Sequence, residues 1–303
     1  MKPFTIVLLS AILFFSGCQE EEGYQEIDLN QRATYEDLHP TDGSKVEDSP
    51  LVLAIASIVS AKESFSAYAD LIPYLEKKLH RLVHPVYTKN YREVYDLLEH
   101  RKVDIAFVCC GLYALGKRND IMELLAIPVV NGDTKYQAYI IASKTSGIES
   151  INDLEGKTIA LTDELSLSGC FYLLYGKTRN LISRDQVVFS GSHDASIQLV
   201  NRGIVDAASV DGLIYEEIAA RRPQSVQNVR IVEKSPPFGI PPVVIHPRVP
   251  PTQRERIQTV LLQMNEDPEG LSILQRMGIE KFELPNEENY RTVFSFIPDS
   301  LTP

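Results

Sequence analysis

The chain has 303 residues, 44% hydrophobic and 23% charged. That length suits two globular domains, and the composition excludes a wholly disordered or collagen-like chain. Thirty basic against 41 acidic side chains leave a net charge of −11, which argues against a broad electrostatic footprint for nucleic acid.

In chain order, residues 1–17 read as a signal peptide. Lys2 gives a minimal positive start, and Ile6 to Phe15 is an apolar run shorter than the ~20 residues that cross a bilayer. It ends in Phe15-Ser16-Gly17-Cys18, which is similar to the lipobox of bacterial lipoproteins. There the cysteine is lipidated and becomes the new N-terminus; Phe15 stands where Leu is usual. A plain cleaved signal peptide with an incidental cysteine is the competing reading, and both imply export. Residues 18–49 are expected to be an acidic flexible tether, with ten Asp or Glu and few large apolar side chains. The remaining cysteines, Cys109, Cys110 and Cys170, are odd in number and lack C-x-x-C spacing. They predict buried free thiols, with no disulfide framework, metal or cofactor.

From Leu51 the pattern changes. Leu51 to Ala56 is a continuous apolar run, the signature of a strand buried on both faces. A helix is predicted over Ser66 to His80, a strand over Val83 to Tyr87, a helix over Tyr91 to His100 and a strand over Val103 to Cys109. This alternation means a parallel sheet wrapped by helices. The grammar restarts with strands at Tyr136–Ala142 and Lys157–Leu161 and a helix from Ser168. A strand at 187–189, a helix at Ala195–Arg202 and strands at 205–210 and 230–232 follow. Thr252 is expected to cap one late helix and Asp267-Pro268-Glu269 to open another. The predicted fold class is α/β: lobe one over 50–137 plus 246–303, lobe two over 138–245, with a cleft between.

Three segments join strands to helices and could carry chemistry. In Thr162-Asp163-Glu164-Leu165-Ser166-Leu167-Ser168-Gly169, hydroxyls and a glycine precede a helix whose N-terminal amides attract anions. A plain serine cap is the alternative. In Ser190-Gly191-Ser192-His193-Asp194, Ser192 or Asp194 could cap the next helix while His193 faces the cleft. Asp211 ends a buried strand, where ligands of open α/β sheets bind, whereas Asp206 suits a turn. Gly176-Lys177-Thr178 lacks the earlier glycine of a phosphate-binding loop, since Phe171 stands there. A serine hydrolase is disfavoured too: Glu164 replaces the first glycine of Gly-x-Ser-x-Gly, and Asp194 adjoins His193 too closely to orient its far nitrogen.

These segments, in this order, resemble the phosphate/phosphite/phosphonate-binding proteins of ABC transporters, within the type II periplasmic solute-binding fold. Tyr74-Leu75-Glu76, Val103-Asp104-Ile105-Ala106 with Gly111, Ser166-Leu167-Ser168-Gly169, Ser192-His193-Asp194-Ala195, Gly203 to Ala208 and Asp267-Pro268-Glu269-Gly270 carry the resemblance. It implies that Ser166, Leu167, Ser168, Gly169 and His193 hold an anionic head group. Asp211 would accept from protonated oxygens or a ligand amine. Lobe-one contacts would come from Phe65 and its neighbours Ser64 and Tyr68, and from Cys109-Cys110-Gly111. Cys110 replaces a frequent Tyr and Leu167 a frequent Thr, which points to a larger or less polar ligand. The implied protein is a monomeric, lipid-anchored solute-binding protein, not an enzyme. It captures a small oxyanion (phosphonate, phosphite or phosphate-like) for an ABC permease, facing the periplasm or cell exterior. The alternative is a ligand-sensing partner of a membrane histidine kinase or chemoreceptor. His193 is expected to set any pH dependence between about 5 and 8.

Overall fold

A computed structural model describes residues 49–60, 67–177, 181–298 and 301. Cys18, the tether, Ser64 and Phe65 lie outside these residues.

The first sheet begins where the apolar run begins. Every residue of β1 (Leu51–Ile55) is buried, and β1 pairs in parallel with β2 (Val83–Tyr87) and β3 (Ile105–Phe107). Helix α1 (Leu71–Leu79) buries Leu71, Tyr74, Leu75 and Leu79, one face at helical spacing. Asn90 caps α2 (Tyr91–Glu99) by accepting from the Glu93 N–H. The strand expected to reach Cys109 stops at Phe107, because Cys109 becomes the N-cap of α3 (Cys110–Arg118). After α3 comes β4 (Glu123–Val129).

The crossing to lobe two is not one strand. β5 (Lys135–Tyr136) and β6 (Ala138–Ser143) break at Gln137, whose carbonyl accepts from the Gly212 N–H rather than from a strand partner. β7 (Ile159–Leu161) and β8 (Val187–Phe189) run parallel, and β7 also pairs in parallel with β9 (Ala207–Asp211). Helices α4 (His193–Asn201) and α5 (Gly212–Arg221) follow β8 and β9. β10 (Val229–Lys234) lies antiparallel to β6, giving the order β10-β6-β9-β7-β8.

The return crossing is β11 (Phe238–Gly239), antiparallel to β5. Then β12 (Val243–Ile245) inserts between β3 and β4, antiparallel to both. Residues 243–245 therefore belong to the first sheet, and the edge expected after Ile245 moves ahead of Val243. Helices α6 (Pro251–Leu262) and α7 (Pro268–Met277) do return to lobe one, where Ile257, Leu261, Ile273 and Leu274 pack with Leu51, Leu53, Leu71 and Leu75. Asp267 caps α7 as expected. Thr252 caps nothing: α6 starts a residue earlier, at Pro251, whose fixed φ suits the first helical position. Strand β13 (Lys281–Glu283) completes the order β13-β4-β12-β3-β1-β2. Both sheets are thus mixed, with a parallel core of three strands and antiparallel additions.

A central apolar cluster runs through both lobes, from Val52, Tyr91 and Leu112 to Ile140, Leu161, Leu167 and Phe171. Residues 287–298 and Leu301 lie across the hinge. The Tyr290 hydroxyl donates to the Ile240 carbonyl, Phe296 packs on Tyr172 and Phe238, and Arg118 donates to the Leu301 carbonyl.

Candidate functional site

The carboxyl ends of β7, β8 and β9 bring Thr162, His193 and Asp211 together. Ser192 caps α4 by accepting from the Ala195 N–H, which sets His193 at the first helical position, almost fully buried. Its Nδ1 lies 3.0 Å from the Asp211 N–H donor and 3.0 Å from the Thr162 hydroxyl. An Nδ1 that accepts leaves the ring proton on Nε2. Burial lowers the His193 pKa to about 3, against a smaller opposing pull from Asp194. The ring is therefore neutral across the physiological range. This corrects the expectation that His193 titrates between about 5 and 8.

The group that titrates near neutrality is Asp211. It caps α5, with Oδ1 accepting from Leu213 and Ile214 N–H, yet burial pushes its carboxyl up to about 7. Asp206 pins the start of β7 instead, its Oδ2 accepting from both the amide and hydroxyl of Thr158.

The 166–169 turn is more closed than its sequence suggested. Leu167 to Lys177 form a π-helix, and the Phe171 N–H reaches the Ser166 carbonyl five residues back. Ser166 and Ser168 are buried among polar neighbours. The Gly169 N–H is taken by the Ser166 hydroxyl, and a Cβ at Gly169 would lie 2.6 Å from Thr162. The glycine thus admits Thr162, not a ligand, to the backbone. Leu167 points into the central apolar cluster, so its exchange for a hydroxyl residue alters core volume and removes no polar contact from the cleft.

Lobe one presents thiols and phenols. Cys109 accepts from the Leu112 N–H and lies 3.5 Å from the Leu165 carbonyl. The Cys110 thiol donates to the Gly239 carbonyl at 2.8 Å, so it serves the hinge strand. Burial pushes the Cys109 thiol up to about 12 and Cys110 well above its ordinary value, which keeps both protonated. Tyr68 packs edge-on against Phe107. Two residues that the sequence did not single out matter more. The Tyr91 hydroxyl is fully buried with no hydrogen-bond partner, near Cys109, Asp163, Ser166 and Asp211. Ser166 lies close enough to favour the ionised phenol but makes no well-formed bond with it. Tyr136 places its phenol by Cys110, Ser168 and Asp211. Burial raises both phenols far above their usual range, so both stay protonated and can donate. Tyr91 was detectable in principle: it opens a helix directly after β2, at a strand's carboxyl end.

No lysine or arginine is buried among the described residues, and none of their His, Cys, Asp or Glu groups is arranged to hold a metal. The arrangement suits a small anion held by buried neutral donors.

The sequence profile of the family described as "ABC transporter, phosphonate, periplasmic substrate-binding protein" matches residues 53–290. The chain is 22% identical over 250 residues to the phosphonates-binding periplasmic protein of Escherichia coli K12, covering 80% of this chain and 74% of that one. Among solved structures it is similar to a binding-protein component of an ABC phosphonate transporter from Pseudomonas aeruginosa, with a TM-score of 0.70 and 19% identity. That match covers 81% of this chain and 85% of that one. It is similar also to PhnD1 of Prochlorococcus marinus (MIT 9301), solved in complex with methylphosphonate. Here the TM-score is 0.72 at 16% identity, over 81% of this chain and 96% of the other. The two structural likenesses establish a shared fold.

Proposed function

The chain belongs to the periplasmic substrate-binding proteins of phosphonate ABC transporters, and from that premise we propose that a small phosphonate lies between His193, Ser166, Ser168 and Asp211 of lobe two and Tyr91 of lobe one. The protein is the exported phosphonate-binding component of a transporter; its family binds substrate for transport and is not enzymatic.

The observation that carries the reading is the buried Tyr91 hydroxyl without a partner, near a group of buried polar side chains that includes a neutral histidine and a carboxyl poised near pH 7. An orphaned buried donor costs about 1–3 kcal/mol, and a ligand oxygen would relieve that cost. The Nε2–H of His193, the Tyr91 and Tyr136 phenols and the two serine hydroxyls would donate to the oxyanion. Asp211 would share a proton with it. An anion lacking an exchangeable proton, such as a sulfonate, would face the carboxylate unscreened, so the site favours phosphonates over sulfonates. The two phenols restore the polarity that Cys110 had put in doubt, and a small polar ligand fits better than a large apolar one. Lipidation at Cys18 would fix the protein to the membrane beside its permease.

Calorimetry with methylphosphonate and methanesulfonate tests the reading: binding of the first and not the second is expected, and equal binding would refute the role of Asp211. Labelled palmitate incorporated by the wild type but not by Cys18→Ala would establish the anchor.

A further inference from the structure

Two of the three cleft-facing turns of lobe two carry, directly after a residue of the site, an aspartate that reaches across to lobe one. Thr162 is followed by Asp163, whose Oδ2 accepts from the Tyr91 N–H at 3.0 Å while Oδ1 accepts from Leu165 in its own turn. His193 is followed by Asp194, whose Oδ1 accepts from the Ser60 N–H at 2.9 Å, in the loop after β1. Between them the lobes touch closely. The His193 N–H donates to the Ile58 carbonyl at 3.2 Å, and a Cβ at Gly111 would stand 2.4 Å from the Leu165 carbonyl.

Two carboxylates beside a site for an anion repel it, more strongly the drier the site. A binding site keeps such groups when they do something else. Both are bonded to backbone amides of the opposite lobe, and hydrogen bonds to an ionised acceptor are roughly twice as strong as neutral ones. We infer that Asp163 and Asp194 are closing residues, which hold lobe one by its backbone and so set how long the closed state lasts without contacting the ligand. The inference rests on the reading that the ligand is bound between the lobes. Because each closing residue adjoins a residue that is already fixed, the locked Thr162 and His193 keep the carboxylates aimed at lobe one.

A ligand enclosed by both lobes leaves only when they part, so the effect belongs in the dissociation rate. In the full chain, methylphosphonate followed by stopped-flow tyrosine fluorescence should leave Asp194→Ala and Asp163→Ala about tenfold faster than wild type. Association should change by no more than about twofold. Asp194→Asn, which keeps an acceptor oxygen, should recover part of the loss. A second measurement needs no ligand: hydrogen exchange of the full chain should quicken together in segments 109–113 and 165–169, on opposite lobes, in Asp194→Ala. Unchanged dissociation in both alanine variants, or quickened exchange confined to the neighbourhood of residue 194, would overturn the inference. Should wild type fail to bind methylphosphonate, the functional reading falls, and the exchange measurement still decides whether these carboxylates hold the lobes.

Discussion

The two lobes meet the cleft with different chemistry. Lobe two brings fixed polar groups from the ends of three strands: Thr162 and Asp211 N–H lock His193, and Asp211 is itself locked as a helix cap. Lobe one brings the orphaned Tyr91 phenol, the Tyr136 phenol beside Cys110 and Ser168, and two protonated thiols already committed to backbone. The difference teaches that one lobe is preorganised to hold charge, while the other gains its polar contact only when a ligand arrives.

The comparison can be broken at His193. His193→Ala strips the partner from the buried Asp211 N–H and Thr162 hydroxyl, at about 1–3 kcal/mol for each group left unsatisfied. It also removes the Nε2 donor. A clear fall in melting temperature and a loss of methylphosphonate affinity beyond tenfold are expected by differential scanning fluorimetry and calorimetry; unchanged values would make lobe two no anchor at all.

Tyr91→Phe sharpens the contrast, because its two effects have opposite signs. Without ligand the variant should be as stable as wild type or slightly more so, since an unpaired buried hydroxyl is deleted. Methylphosphonate affinity should drop about tenfold. A destabilised ligand-free variant would mean that the hydroxyl has a partner after all.

Asp211→Asn tests the pH window. The folded carboxyl titrates near 7 and an unfolded one near 4. A raised acid favours the protonated folded state, so its contribution is full below about pH 4 and is lost as pH rises through about 7. His193 works the other way, its contribution present above about 6.5 and lost as pH falls toward about 3. Between pH 4 and 7 the two contributions oppose each other in the wild type, so denaturant melts should show Asp211→Asn, which can still cap α5, gaining stability relative to wild type as pH rises. The smallest change is expected for Cys110→Ala. It loses one thiol-to-carbonyl bond at the hinge and should cost about 1 kcal/mol, read as a small drop in melting temperature with affinity nearly intact.

What the sequence reveals here is what local physics decides. The β1 run, the Asp267 cap and the place of Asp211 at a strand's end follow from patterns within a few residues. The break at Gln137 depends on an amide 75 positions away, Gly212, and no periodicity announces it. The antiparallel insertion of β12 is likewise a matter of long-range pairing. Leu167 and Gly169 illustrate the limit: a residue packed in the core and one facing a ligand look alike until the π-helix fixes which way each points. Tyr91 and Tyr136 were passed over because an apolar, helical or strand setting hides a phenol's hydroxyl, and only three-dimensional packing shows which polar groups it meets.

Residues 287–298 and Leu301 bear on anyone adapting this protein as a phosphonate sensor. Phe296 and Tyr290 clasp the hinge from outside while Arg118 grips the carbonyl of Leu301. A fluorescent partner fused after that point would tug on the very joint whose bending it was meant to report, so the reporter belongs on an exposed loop elsewhere.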